Sequence, residues 1–174
     1  MRLKNRLFWI AAFVIVILDQ LTKNQVVSAA KSWQLETIIE SKTGNIIYRP
    51  TLPLIQGIFH FTYVKNDGAA WSILSGHIDL LRFLSLAVSL VLIAMACFGP
   101  ALYFWDQLGY GFILGGAMGN GIDRFVLSYV VDFLDFRLIN FPVFNVADSF
   151  ISIGIVCLLI SSFQKTPASS RRSP

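Results

Sequence analysis

Four stretches of this sequence are long and apolar enough to cross a lipid bilayer, and they restrict the chain to a membrane fold. They lie at about residues 8–27, 80–98, 108–126 and 147–163. A transmembrane helix needs about 20 predominantly apolar residues. Only 14% of the residues are charged, whereas a soluble domain carries about 25%. We therefore predict an all-α membrane protein with four transmembrane helices, forming a single polytopic domain over residues 1–163, followed by a disordered cytoplasmic tail at 164–174.

Basic residues at both ends of the chain indicate how these helices are oriented. They are Arg2, Lys4 and Arg6 before the first stretch and Lys165, Arg171 and Arg172 after the last. Basic residues accumulate on the cytoplasmic side of membrane proteins, and those of the outer segments are spread over many more residues. Both termini are therefore predicted to be cytoplasmic.

The first stretch has a second interpretation. Its basic start, its apolar centre and the small residues Ser28, Ala29 and Ala30 also fit a cleaved secretory signal peptide. Cleavage would leave three spans and would place the basic C-terminus outside, against the charge rule.

The polar segment at residues 28–77 is predicted to form a small extracytoplasmic β-element. From residue 58 to residue 64 the sequence alternates, with Phe59, Phe61 and Tyr63 on one side and His60 and Thr62 on the other. A period of two is typical of a β-strand. Residues 45–48 are a weaker candidate for its partner strand, and residues 66–68 have the composition of a turn.

The third stretch carries a small residue at every fourth position, namely Gly111, Gly115 and Gly119. Small residues at this spacing allow membrane helices to approach closely. They could also leave room beside the helix for a peptide substrate.

The cysteines and histidines give no sign of a metal or cofactor site. Cys97 and Cys157 lie inside predicted spans without metal-binding spacing, and we interpret both as small buried apolar residues. His60 and His77 are isolated in the sequence. We expect no metal ion and no cofactor. The net charge of +4 comes from basic residues that include the terminal clusters, so it does not indicate a nucleic-acid partner.

Four polar clusters fall near the outer ends of the predicted helices. They are Asp19 with Lys23; Asn66, Asp67 and Gly68; Asn120, Asp123 and Arg124; and Asp132, Asn145 and Asp148. Charged side chains close to bilayer depth are costly, so by default they indicate a functional site. Two aspartates brought together can share one proton and activate a water molecule, as in aspartic peptidases. With cytoplasmic termini, all four clusters lie on the same side of the membrane, which predicts one shared site.

Each cluster also has a purely structural interpretation. These interpretations are an ion pair between Asp19 and Lys23, an ion pair between Asp123 and Arg124, an N-cap formed by Asn145 with Asp148 in the first helical turn, and solvated loop charges for Asp135 and Arg137. All of them being true together is less plausible than one shared site.

The clusters belong to five ordered motifs that resemble those of bacterial lipoprotein signal peptidase, also called signal peptidase II. The motifs are Asp19-Gln20-Leu21-Thr22-Lys23, Asn66-Asp67-Gly68-Ala69-Ala70, the glycine-rich segment 115–124 that ends in Asp123-Arg124, Val131-Asp132-Phe133 and Phe144-Asn145-Val146-Ala147-Asp148. They occur in the family's order, and the resemblance covers about residues 8–163.

The resemblance implies a multi-pass aspartic endopeptidase of the bacterial inner membrane, with its active site on the periplasmic side. It would cleave diacylglyceryl-modified prolipoproteins just before the lipidated cysteine, without a cofactor. Its partners would be these substrates and membrane lipids, and the enzyme itself would be a monomer. Asp132 and Asp148 match the family's catalytic dyad. Its substrate-site positions are matched by Asp19, Lys23, Asn66, Gly68, Asn120, Asp123, Arg124, Asn145 and Ala147.

Two features depart from what the family leads us to expect. The segment between Lys23 and Asn66 is longer, with residues 31–49 as the insertion, which leaves the shape of the β-element open. Gly121 replaces a bulky apolar residue, and this would loosen the end of the third helix by up to about 1 kcal/mol.

Two other classes of protein compete with a peptidase. A transporter or channel could line its pathway with the same charged residues, but no internal repeat is evident and the charges cluster at one leaflet. A membrane assembly factor could use the outer segment as a binding surface.

Overall fold

The computed structural model of the chain describes residues 5–39, 46–68, 74–139 and 141–164. The described residues form four long helices, which are α1 (Arg6–Ala29), α2 (Ile78–Phe98), α3 (Phe104–Val126) and α4 (Val146–Gln164). Each helix matches one predicted stretch to within a few residues at either end. The terminal basic residues Arg2, Lys4, Lys165, Arg171 and Arg172 and the predicted tail beyond residue 164 lie outside the described residues.

Three of the four helices are long and apolar enough to cross a membrane, and these are α1, α2 and α4. Helix α3 is not among them, since its sequence carries Asp106, Asp123 and Arg124 besides several glycines. The fourth span therefore stays a prediction.

Helix α3 packs against all three other helices, and its glycines explain how closely. A Cβ atom added at Gly111 or Gly115 would lie 2.7 Å from atoms of α1, and one added at Gly116 would lie 2.6 Å from the carbonyl oxygen of Ala147 in α4. Closer than 3.0 Å, a real Cβ would displace its neighbour. The predicted close helix packing is confirmed. The space beside Gly111, Gly115 and Gly119 is filled by α1, so the suggestion that a peptide occupies it is wrong.

The two cysteines differ in their surroundings. Cys157 is buried in α4, as predicted, whereas Cys97 is exposed on α2, so the interpretation of Cys97 as a buried residue is wrong. The physical reason is that much of the surface of α2 lacks a protein neighbour, and its large apolar side chains are exposed as well.

The segment between α1 and α2, together with a strand that follows α3, forms an antiparallel sheet of four strands in the order β1-β2-β3-β4. The strands are β1 (Gln34–Ile39), β2 (Ile46–Ile55), β3 (Phe59–Asn66) and β4 (Val130–Phe136). Strand β3 confirms the strand predicted from the alternation. Its partner in β2 is the stretch from Thr51 to Ile55, whereas Ile46 pairs with Ile39 in β1. The predicted partner at residues 45–48 is thus wrong in its described part, because residues 46–48 pair with the additional strand β1.

Strand β4 was not predicted, although it carries Asp132. Its residues from Val130 to Phe133 are all buried, so the strand shows no alternation of apolar and polar residues. It reaches the sheet by pairing with β3, with Asn66 opposite Val130 and Phe59 opposite Phe136.

Candidate active site

Asp132 in β4 and Asp148 in α4 converge on one residue, Asn145. The side-chain amide of Asn145 donates a hydrogen bond to Oδ1 of Asp132 at 2.7 Å. The backbone N–H of Asn145 donates to Oδ2 of Asp148 at 3.2 Å. Because Asn145 is fully buried, both contacts lie away from bulk solvent. They hold the two carboxylates next to the same residue.

Asn145 also caps helix α4. Its side-chain oxygen accepts a hydrogen bond from the backbone N–H of Asp148 at 3.0 Å. Together with the reverse contact from Asn145 to Asp148, this is a reciprocal capping box, which satisfies two backbone donors at the start of the helix. The capping interpretation and the shared-site interpretation are therefore both correct, because one amide group caps the helix while it binds Asp132.

The second oxygen of each aspartate has its own amide donor. Asn66, at the end of β3, donates to Oδ2 of Asp132 at 2.8 Å, and Asn120 of α3 donates to Oδ1 of Asp148 at 2.8 Å. All four carboxylate oxygens thus accept hydrogen bonds from fixed groups. Such contacts set the positions of both carboxylates without using a charged partner.

Lys23 lies behind this layer of amides and contacts three side chains. It forms ion pairs with Asp19 at 2.8 Å and with Asp123 at 3.0 Å, and it donates to the side-chain oxygen of Asn120 at 2.9 Å. Asn120 therefore links Lys23 to Asp148. The Lys23 side chain and both of its carboxylate partners are at least 96% buried, so this ion pair belongs to the protein interior.

The two carboxylates that bind Lys23 also hold the backbone next to each candidate catalytic residue. Asp19 accepts a hydrogen bond from the backbone N–H of Ala147 at 3.0 Å, and Asp123 accepts one from the backbone N–H of Val131 at 3.0 Å. Ala147 precedes Asp148, and Val131 precedes Asp132. Asp19 and Asp123 are thus connected to the two candidate catalytic aspartates through one residue each.

Arg124 connects the site to α2 and to the residues that follow β3. Its guanidinium group donates to Ser85 of α2 at 3.1 Å and to the carbonyl oxygen of Gly68 at 3.4 Å. Gly68 in turn donates its backbone N–H to Asn66 at 2.9 Å. The Nε atom of Arg124 is buried and has no hydrogen-bond partner within the described part of the chain.

All eleven predicted site residues thereby join one hydrogen-bonded network. Within the described residues, Gln20, Ser85 and Arg82 also join this network, and the sequence analysis did not single them out as site residues. Gln20 bridges Asp123 at 2.9 Å and the carbonyl oxygen of Gly119 at 3.1 Å, Ser85 contacts Arg124, and Arg82 donates to the carbonyl oxygen of Arg124 at 2.8 Å. Gln20 lies inside the first motif, and that position was its only sequence signal.

Two structural interpretations from the sequence need correction. Asp123 and Arg124 do not pair with each other, since Asp123 binds Lys23 and Arg124 binds Ser85 and Gly68. Asp135 is not a solvated loop charge, because it is 8% exposed and lies within β4. Neighbouring residues of a helix point about 100° apart, so adjacency in sequence does not imply contact.

Burial and the negative charge of Asp148 together raise the pKa of Asp132 to about 7, although the hydrogen bonds from Asn66 and Asn145 oppose the shift. The carboxyl group of Asp132 therefore takes up a proton near neutral pH, which is unusual for an aspartic acid. Within the described residues, no group of three histidine, cysteine, aspartate or glutamate side chains is arranged to hold a metal ion.

Comparisons with known proteins identify the family to which the chain belongs. Residues 11–164 match the family described as Signal peptidase (SPase) II. The chain is 68% identical over 172 residues to the lipoprotein signal peptidase of Nostoc punctiforme, with 99% of each chain covered. It is 62% identical over 173 residues to that of Trichormus variabilis, again with 99% of each covered.

The fold also has a solved counterpart. A structure described as a bacterial membrane enzyme, determined by the in meso method at 2.3 Å resolution, superimposes with a TM-score of 0.75 at 26% identity. The superposition covers 96% of this chain and 93% of the other. The family match and the two relatives extend over almost the whole sequence, and from them we conclude that this chain belongs to the signal peptidase II family.

Proposed function

We propose that the chain is an aspartic endopeptidase that removes the signal peptide from diacylglyceryl-modified prolipoproteins by cleaving before the lipidated cysteine. Membership in the family makes it a peptidase that processes lipoproteins, which decides against the transporter and the assembly factor. The observation that carries the aspartic mechanism is the hydrogen bonding of Asn145 to both Asp132 and Asp148.

In this mechanism Asp132 carries the shared proton and Asp148 is ionised. Asp148 takes a proton from water, whose oxygen attacks the scissile carbonyl carbon, while Asp132 donates its proton to the carbonyl oxygen. The C–N bond then breaks as the proton held by Asp148 passes to the leaving nitrogen, and Asp132 recovers its own as the carbonyl re-forms. The pKa of Asp132 near 7 supports its role as the acid. The position of Asp148 in the first turn of α4 supports its charged form, because helix N-termini favour negative charge.

The surrounding residues would position the substrate. Arg124, whose guanidinium group contacts Gly68, and Asn66, beside Asp132, would bind peptide carbonyl groups. Asp19, Lys23, Asn120, Asp123 and Ala147 support the dyad from behind. The acyl chains of the substrate would remain in the bilayer, so membrane lipids share in holding it.

We further propose a monomer in the bacterial inner membrane, built as a single polytopic domain with four spans, cytoplasmic termini and a site facing the outer side. Three apolar helices support this topology, and α3 is enclosed by the others despite its polar residues. Helix α1 contributes Asp19 and Lys23 to the network, which argues that it is retained and not cleaved as a signal peptide.

The dyad can be tested with the variants Asp132→Asn and Asp148→Asn. Each should lower turnover of a lipidated prolipoprotein by at least a thousandfold, because members of a catalytic pair act as a unit. Turnover of the purified protein would be measured with the diacylglyceryl-modified substrate and with the same precursor lacking the lipid, which should not be cleaved.

A matched control is Asp79→Asn, since the carboxylate of Asp79, in the first turn of α2, is 75% exposed and its ion pair with Arg82 at 2.6 Å is a surface contact of little energy. This variant should keep wild-type turnover. Near-normal turnover by either dyad variant, with an unchanged melting temperature, would show that the dyad is assigned wrongly.

A further inference from the structure

A second polar network lies on the sheet, apart from the two aspartates, and it is centred on Arg137. The guanidinium group of Arg137 donates two hydrogen bonds to the carboxylate of Glu36, at 2.7 and 2.5 Å, and one to Asp135 at 2.9 Å. Thr62 donates to the same oxygen of Asp135 at 2.6 Å. The network therefore joins β1 to β3 and to the end of β4.

The pairing between Arg137 and Glu36 has the geometry of a strong contact. The hydrogen bonds that Glu36 accepts from Arg137 hold the pKa of Glu36 below its usual value, and the same contacts raise the pKa of Arg137. Isolated surface ion pairs contribute little to stability, but a bidentate arginine–carboxylate pair within a network is the exception. Both groups are thus ionised at neutral pH, and their hydrogen bonds orient them toward each other.

The pair connects the two edges of the sheet. β1 and β4 are the outer strands, and a flat four-stranded sheet would keep them about 14 Å apart. Glu36 in β1 and Arg137 just after β4 therefore meet across the width of the sheet through their long side chains. The polar side chains on the same face, which are Thr51, His60, Thr62 and Asp135, are all at most 8% exposed.

The same contact fixes the strand that carries Asp132. At its start, Val131 donates its backbone N–H to Asp123 at 3.0 Å. At its end, Arg137 donates its backbone N–H to the carbonyl oxygen of Ile58 at 2.9 Å and its side chain to Glu36. The connection from β4 to Asp148 begins at Arg137. Displacement of Arg137 would therefore shift Asp132 relative to Asp148.

We propose that Arg137 is a positioning residue: through Glu36 it clamps the β1–β2 hairpin to the end of β4 and so sets the placement of Asp132 relative to Asp148. This proposal rests on the proposed function of the two aspartates. The proposal gives residues 31–49 a role, because β1, which carries the Arg137 partner Glu36, lies within them. The inserted hairpin is then part of the support of the active site.

The test uses the purified full-length chain with a diacylglyceryl-modified prolipoprotein and the variants Arg137→Gln, Glu36→Gln and their combination. Each single variant should lower kcat about tenfold with KM within about threefold of wild type, because small misplacements of a catalytic group act on the chemical step. The double variant should lose no more than Arg137→Gln, since both changes remove one interaction. Arg137→Lys keeps the charge but loses the planar guanidinium group, so its kcat should lie between those of the wild type and Arg137→Gln.

The pH profile separates positioning from general loosening of the fold. If Asp132 is less firmly enclosed, it should lose its proton more readily, so the alkaline limb of kcat/KM should move to lower pH in Arg137→Gln. The control is Arg49→Gln, since Arg49 lies opposite Glu36 in β2 and has no ion pair among the described residues. Arg49→Gln should leave both kcat and the alkaline limb of the kcat/KM profile unchanged.

The outcomes distinguish this proposal from the proposed function. Wild-type kcat in both single variants, alongside an inactive Asp132→Asn, would overturn the clamp alone. An active Asp132→Asn would overturn the proposed function and the clamp with it. If Arg137→Gln fails to fold, the Glu36→Gln variant in the edge strand β1 tests the proposal alone. A wild-type kcat in Glu36→Gln would overturn the proposal.

Discussion

At the scale of single residues, amides carry much of the organisation of this site. Asn145 and Asn120 each contact an aspartate, and Asn120 accepts hydrogen bonds from Lys23 and from Asn145 at 2.9 Å each. A neutral amide can donate and accept at the same time. It can therefore transmit the position of a buried cation to Asp148 without pairing that carboxylate with the cation, which leaves the carboxylate available for proton transfer.

Lys23 is the residue whose loss should destabilise the protein most directly. The variant Lys23→Met would leave the buried carboxylates of Asp19 and Asp123 without a cation, and breaking such a pair costs about 3–5 kcal/mol. We expect the free energy of unfolding in mixed micelles to fall by this order. Lys31→Met, at an exposed lysine just beyond α1, is the control and should be neutral. An equal effect of both variants would contradict the role assigned to Lys23.

At the scale of the elements, the close packing of α3 with α1 brings the first motif to the third. The stripe of Gly111, Gly115 and Gly119 faces α1, and the last of these lies directly against Asp19. The glycine spacing predicts the contact because residues four apart share a helix face. Which neighbouring helix would use that face is decided by the fold, since Gly116 and Gly109 give α3 a second close surface toward α4.

This packing makes Gly119 a sensitive position. A Cβ added there would lie 2.5 Å from Oδ2 of Asp19, so Gly119→Ala should displace the carboxylate that binds Lys23 and Ala147. We expect turnover to fall at least tenfold together with a lower melting temperature. The matched variant is Gly121→Ala, whose Cβ would lie 3.3 Å from the Cβ of Ser85, its nearest neighbour on another helix.

Gly121→Ala should keep turnover within about threefold, because Ser85 can shift slightly and alanine favours helix by about 1 kcal/mol relative to glycine. Helix α3 continues past Gly121 to Val126. Turnover of Gly119→Ala at the wild-type level would indicate that the Asp19 carboxylate does not need its observed position.

At the scale of the whole molecule, folding itself creates the acid–base properties of the site. Segments from α1, α3, α4 and the sheet bury Asp132 to 2% exposure. Burial and the charge of Asp148 raise its pKa from 3.8 to about 7. The folded state therefore binds a proton that the unfolded chain releases at lower pH, and both activity and stability should depend on pH between these two values.

The sign of this dependence follows from the direction of the shift. The contribution of Asp132 to stability is fully present below pH 3.8 and is lost as the pH rises through about 7. The melting temperature of the wild type should thus fall between pH 5 and pH 8, and Asp132→Asn should reduce that fall. If the dyad needs one proton for catalysis, kcat/KM should also decline above about pH 7.

Measured values will belong to the pair of aspartates, since the two titrate together. Melting temperatures and kcat/KM would be recorded over the same pH range, with the Asp79→Asn variant as the control for a surface carboxylate. A melting temperature that rises from pH 5 to pH 8 in the wild type, with no change in Asp132→Asn, would contradict the raised pKa.

Local properties of the sequence predicted the helices and the strand β3, and they made the charged residues near the helix ends candidates for a site. Apolar length predicts a membrane helix because a bilayer has a fixed thickness, and the cost of burying charge makes Asp19, Asp123, Asp132 and Asp148 candidates for a functional role. Both properties can be read from neighbouring residues alone. For the same reason the positions of the helix ends agree with the structure to within a few residues.

Only the tertiary structure decided which group contacts which. Nothing local in the sequence pairs Asp19 with the backbone of Ala147, Asn145 with Asp132, or Arg137 with Glu36, because the members of each pair lie on different elements. Strand β4 escaped prediction because it is buried along most of its length and shows no period of two. Hydrogen-bond partners across elements depend on how the helices and the sheet pack, and that packing is a property of the folded chain as a whole.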